Sequence, residues 1–144
     1  MKKIIFFLAM VLILCACGGE EPVEVDHAKM LYDYTDLNEV DEDEIIMPHT
    51  TVNLHGEIQR KGEEINMAVS RLSDEDGIAH EGVVFENSNL LVVESIDKEK
   101  YLVLVEDRDE FNQWSEGDFI TVTGTFEGIN NSTYTPLIKA NRIE

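Results

Sequence analysis

The chain has 144 residues, with 11 Lys plus Arg against 30 Asp plus Glu and a formal net charge of −19. That length fits one domain, and that charge argues against a phosphate-rich partner, because nucleic-acid grooves need clustered Lys and Arg to displace condensed counterions. An anionic membrane face is disfavoured for the same reason, and no metal-ligand spacing, nucleophile elbow or phosphate loop points to a reaction.

The amino terminus speaks to location. Met1-Lys2-Lys3 forms a positive n-region, and residues 4–14 are an unbroken apolar run followed by small residues, the pattern of a secretory signal. A spanning helix needs about 20 apolar residues, so this run predicts no permanent transmembrane anchor. Leu14-Cys15-Ala16-Cys17-Gly18 resembles the lipobox of bacterial prolipoproteins, with Leu three positions before Cys17 and a small residue just ahead of it. The resemblance implies a diacylglyceryl thioether on the Cys17 sulfur, cleavage before that residue and acylation of the new amino group. Cys15, preceded by bulky Leu14, fits less well, and an ordinary secretory signal with two incidental cysteines is the alternative. Two or three acyl chains hold firmly where one binds reversibly, so the expected location is the cell membrane, lipid-anchored and facing outside the cytoplasm. Loss of residues 1–16 would leave 30 acids against nine bases and no cysteine free to pair.

Residues 17–25 read as a tether, carrying Gly18, Gly19, Glu20, Glu21 and Pro22. Met30, Leu31, Tyr34 and Leu37 then fall at helical intervals with Asp26 placed to cap the first turn, which predicts an amphipathic helix over residues 27 to about 38. An acidic loop, Asp41-Glu42-Asp43-Glu44, completes a segment from 26 to 47. Its adjacent carboxylates lack the alternation, central Gly and terminal Glu of a calcium loop, so no metal is assigned.

From Thr51 the pattern becomes β. Val52, Leu54 and Gly56 alternate with Thr51, Asn53 and His55, and Ile58 closes a first strand before an expected turn at Lys61-Gly62. Ile65, Met67 and Val69 repeat with period two, Asp76-Gly77 reads as a turn, and residues 82–86 hold a short apolar run. Residues 89–96 and 100–106 are two β-rich runs around Asp97-Lys98-Glu99, expected as a hairpin deep in the sheet. Asp107 and Glu110 form a capping pair for a short helix with Phe111 and Trp114 on one side. Residues 119–128 alternate again, Ile120, Val122 and Phe126 opposing Thr121, Thr123 and Thr125. The loop around Asn130-Asn131-Ser132-Thr133 leads to a last strand ending near Ile143, with Pro136 marking an edge or bulge.

Strands, a capped helix and two more strands follow the order of an OB-fold barrel. Gly117-Asp118-Phe119-Ile120-Thr121-Val122-Thr123-Gly124, with Pro136, Ile138, Ala140 and Ile143, resembles the closing half of OB-fold domains. Leu31-Tyr32-Asp33-Tyr34, Asn38, Val40, Asp41 and Val52-Asn53-Leu54-His55-Gly56-Glu57-Ile58 resemble the opening of tRNA-anti-like bacterial lipoproteins. The likeness covers about residues 28–58 and 89–143; residues 59–88 are an extra stretch. The expected fold is therefore mostly β: an OB-like, partly open barrel over residues 48–144, with an amphipathic N-terminal helix and one short helix between strands.

OB barrels that bind nucleic acid present aromatics among basic residues on the face of strands two and three. Here that face would offer Lys98, Lys100 and Tyr101, with Tyr134 nearby, although the lysines can equally serve to solvate a turn and Tyr134 to pack on a strand. Nucleic acid is rejected as a partner on charge. His27, His49, His55 and His80 form no metal pair, the serines sit in no nucleophile frame, and no cofactor or catalytic residue is assigned. Two readings remain: a non-enzymatic module binding a protein or envelope component, and an acidic surface lipoprotein capturing cationic peptides or basic proteins.

Overall fold

The computed structural model describes residues 21–31, 44–73 and 79–144. Cys17 and the signal, the helix positions Tyr34 and Leu37, most of the acidic run and the Asp76-Gly77 turn lie outside the described residues. No described helix is long and apolar enough to cross a membrane.

β1 (Val23–Glu24) lies parallel to the start of β2 (Thr51–Ser73). Between them α1 (His27–Met30) begins as expected, with the Asp26 side chain accepting the Lys29 amide at 3.2 Å. Its C-cap is Leu31, and the rest of the expected helix lies outside the described residues. Its Met30 is fully buried, and the Lys29 carbonyl accepts the Ile46 amide, tying the two described parts of this acidic segment together.

β2 opens with the alternation read from the sequence, Val52, Leu54 and Ile58 all being buried. Gly56 lies so close to β3 that a Cβ would strike the Glu94 carbonyl oxygen, which explains a glycine at an inward position. The turn expected at Lys61-Gly62 is not there. The strand runs on, pairing Lys61 with Leu91 and Gly62 with Leu90, and the irregularity is absorbed by a bulge before Ile65 in which Glu64 has φ 52°. A Lys-Gly pair favours reversal locally, but a bulge lets the chain bend and keep its ladder. Within the extra stretch, residues 59–73 and 79–88 are strand. They extend the hairpin of β2 with β3 (Ala79–Ser95), paired from Gly56 opposite Ser95 out to Ser73 opposite Ala79.

β3 turns through Asp97-Lys98-Glu99 into β4 (Lys100–Leu104), as expected. Then α2 (Arg108–Gln113) follows, capped by Asp107, whose side chain accepts the Glu110 amide at 3.0 Å. β5 (Phe119–Asn130) and β6 (Pro136–Ile143) complete the described elements. The sheet order is β1-β2-β3-β4-β6-β5, β4 and β6 running parallel, and β2 also pairs with β5. β2, β3, β4, β6 and β5 are therefore partly ringed. Partners fall from Thr125 to Phe119 along β5 as they rise from Thr51 to Glu57 along β2, and contact resumes at Val69 and Ser70 opposite Asn130 and Ile129. Pro136 is not at a sheet edge: it is the first residue of a strand held between β4 and β5, where a missing amide is tolerated, and the adjacent bulge lies in β5 at Glu127.

Inside the ring, Leu54, Leu91, Val93, Val103, Phe111, Ile120, Phe126 and Ile138 form the main core. A second cluster, Met67, Val69, Leu90, Leu104 and Leu137, takes the alternate residues of the same strands.

Candidate binding groove

Because side chains alternate across a strand, β3 and β4 send Leu91, Val93, Tyr101 and Val103 into the ring and leave Leu90, Val92, Lys100, Leu102 and Leu104 on the other face. Cross-strand register continues this row: Arg60 of β2 lies opposite Val92, and Val92 opposite Leu102. The bulge in β2 is braced across the hairpin, where Asn66 Oδ1 accepts the Asn87 amide at 2.8 Å. Beyond it Met67 and Val69 turn onto Leu90, Leu104 and Leu137.

The β5–β6 loop forms the opposite wall. Asn130 Oδ1 accepts the Ser132 amide at 3.0 Å, the Thr133 amide at 2.9 Å and the Thr133 hydroxyl at 3.0 Å, an arrangement that fixes the turn from its first residue. The Asn131 amide donates to the Ala68 carbonyl at 3.0 Å, joining this wall to β2. Between the walls lies a groove of about 510 Å³, floored by Leu90, Val92 and Leu102 and reaching Ser132 and Thr133. It continues into a second hollow of about 590 Å³ lined by Gln59, Arg60, Lys100 and Thr135. Preformed concavities with an apolar floor and a few polar groups are where small ligands and segments of partners bind.

Charge distinguishes this groove from the rest of the chain. Arg60, Lys61 and Lys100 line it, and among the described residues no Asp or Glu does, in a chain of net charge −19. Lys61 is committed to the fold: its ammonium donates to the carbonyl oxygens of Phe111 at 2.8 Å and Trp114 at 2.6 Å, closing the C-terminal end of α2, and sits 4.2 Å from the Phe111 ring centre. Arg60 and Lys100 are exposed and make no ion pair with a described residue. Glu94, the register partner of Lys100, is engaged by Lys98 at 3.5 Å. Among the described residues no aromatic side chain of the kind that stacks on single-stranded nucleic acid lines either hollow.

The residues singled out from sequence are dispersed by the structure. Lys100 lines the groove. Lys98 stands on the β3–β4 turn with φ 67° and its side chain 82% exposed. Tyr101 corrects an expectation: one residue along from Lys100, it points into the core, 2% exposed, with its ring edge-on to His27 at 5.4 Å. It offers no stacking face to a ligand, and burial, then Glu99, Asp26 and Asp97, push its phenol pKa well above the ordinary tyrosine value. Tyr134 is exposed on the β5–β6 loop, with φ 53°, but outside the groove lining. Arg60 was missed because Lys61-Gly62 reads as a turn. The available signal was that Arg60-Lys61 are the only adjacent basic residues after Lys2-Lys3.

Among the described residues no three of His, Cys, Asp and Glu come together to hold a metal ion. No protein-family model and no curated protein sequence matches the chain.

Proposed function

We propose that the chain is a lipid-anchored, extracytoplasmic binding module of OB-fold type, without catalytic activity, which holds a segment of a protein or another envelope component in this groove. The observation that carries the reading is the preformed concavity between the bulged hairpin and the β5–β6 loop, apolar at its floor and bounded by fixed walls. The ring order β2-β3-β4-β6-β5, with parallel β4 and β6 and a capped helix between β4 and β5, supports the OB-fold assignment. The run over residues 4–14 and the Leu14-Cys15-Ala16-Cys17 pattern support secretion and lipidation at Cys17.

Two experiments test the two halves of this proposal. Cells grown with an alkyne fatty acid should label the wild-type chain and not Cys17→Ala, which should leave the membrane fraction; a label retained by Cys17→Ala overturns the anchor. A photo-crosslinking residue placed at Thr133 should capture a partner in intact cells, and one placed at Asn141, outside the groove lining, should not. Equal capture at both positions overturns the groove as the binding surface.

The second reading, capture of cationic peptides by the acidic surface, draws support from the charge alone. Residues 20–47 hold 11 acids against Lys29, so such a ligand would engage that segment rather than the groove.

A further inference from the structure

Resting on the groove as the binding surface, we propose that its occupant is an extended acidic peptide segment, presenting one carboxylate to Arg60 and a second to Lys100 across an aliphatic side chain seated on Val92 and Leu102. Register carries the argument. Arg60, Val92 and Leu102 occupy one cross-sheet row, and Lys100 lies two residues from Leu102 along β4, hence on the same face. With strands about 4.8 Å apart and about 3.4 Å per residue along a strand, Arg60 and Lys100 are roughly 12 Å apart at their Cα atoms. An extended peptide spans about that distance between side chains four residues apart, which share one face, with the side chain between them on that face as well.

The chemistry of the lining selects the class. Sugars and nucleobases are held by stacking on aromatic rings, and the described residues lining the groove include none. An aliphatic floor suits branched side chains, while Gln59, Thr133 and Thr135 beside it can bond a peptide backbone. The cations then have an electrostatic purpose in an acidic protein. An acidic segment is repelled by the surface at large and attracted at one place, which confers position more than affinity.

The test uses the full-length chain in detergent micelles and three labelled, terminally blocked heptapeptides, read by fluorescence anisotropy. The first alternates threonine with glutamate, valine and glutamate; the second and third replace both glutamates with glutamine or lysine. The glutamate peptide should bind about tenfold tighter than the glutamine peptide at low salt, the scale expected for two exposed ion pairs. The double variant Arg60→Gln/Lys100→Gln should lose that preference and keep its affinity for the glutamine peptide. Exchanging the charges as Arg60→Lys/Lys100→Arg should retain it. Equal binding of glutamate and glutamine peptides overturns the carboxylate assignment and leaves the groove standing. Failure of all three to bind overturns the groove reading with it, and preference for the lysine peptide transfers support to capture of cations by the acidic surface.

Discussion

The cluster inside the ring and the cluster on the other face of β3 and β4 are built from alternate residues of the same strands, yet they are held differently. Around Leu54, Phe111 and Phe126 the strands pair with one another and α2 adds Phe111 from the side. Around Leu90, Leu104 and Leu137 the cover is the distal half of one hairpin, Met67 and Val69 with Phe85. That half is held by the pairing of Val69 and Ser70 with Asn130 and Ile129, by Leu72 in the main core and by side-chain bonds. Arg71 bonds Glu127 at 2.8 Å with both side chains 12% exposed, Arg71 Nε donates to the Glu127 carbonyl at 3.0 Å, and Asn131 donates to Ala68. The groove lies at the border between these regions, one wall belonging to the hairpin and the floor to strands of the ring.

The largest effect should come from the ring. Phe126 is fully buried there, and Phe126→Ala leaves a cavity that neighbouring paired strands cannot close, at a cost of about 3–5 kcal/mol. Urea unfolding followed by the single Trp114 should show the whole transition shifted to lower denaturant with its slope unchanged. A loss below about 1 kcal/mol would mean that the ring relaxes as freely as the hairpin, and the contrast would fail.

Next is the fastening. Glu127→Ala leaves the Arg71 guanidinium largely buried without its carboxylate, a change worth about 3 kcal/mol, at the low end for a broken buried pair because one bond to the Glu127 carbonyl persists. Hydrogen exchange should locate the loss in amides 67–72 while amides 120–126 keep their protection, since weakly held units open before the whole molecule does. Equal acceleration in both places would make the two regions one cooperative unit. Arg71→Met/Glu127→Met, which removes both charges, should recover most of the stability.

The same contrast explains what could be read in advance. Strands with one buried face announce themselves by alternation, and Val52, Leu54, Ile120, Val122 and Phe126 were legible for that reason. Leu90-Leu91-Val92-Val93 reads as a β run without a buried side because both faces pack, one in each cluster. Asp107 and Glu110 disclosed α2 through local capping chemistry. What was hidden is long-range. Gly62 breaks a strand locally but only bulges it when β3 is alongside, and nothing in Lys100-Tyr101 says which of the two points into the core until the register with β3 decides it. The lining of the groove is half legible accordingly: Lys100 stands out as a base beside a turn, whereas Arg60, forty residues away, joins it only through the strand pairing.

A smaller effect tests how α2 serves the ring. Asp107→Ala removes the side-chain acceptor of the Glu110 amide and should cost about 1 kcal/mol. Because Phe111 is delivered to the core by this helix and its C-terminal carbonyls are closed by Lys61, the loss should appear in the same global transition as Phe126→Ala. Appearance only in local exchange of residues 108–113 would detach α2 from the ring.

The smallest effect at neutral pH belongs to Tyr101, and it grows only in alkali. Its ring lies inside the ring core beside His27, and burial, followed by Glu99, Asp26 and Asp97, raises its pKa above the unfolded value near 10. Below that value the phenol is protonated in both states, and its titration adds no pH dependence. Above it the unfolded chain gives up the proton while the folded chain keeps it, so the unfolded state is increasingly favoured as pH rises from about 10 toward the folded-state value. Urea midpoints measured from pH 9 to 11.5 should fall for the wild type and fall less steeply for Tyr101→Phe, which keeps the ring and removes the titrating hydroxyl. Parallel decline in the two proteins would detach the alkaline loss from the Tyr101 hydroxyl, and would show that Tyr101 is not sealed within the ring as its 2% exposure indicates.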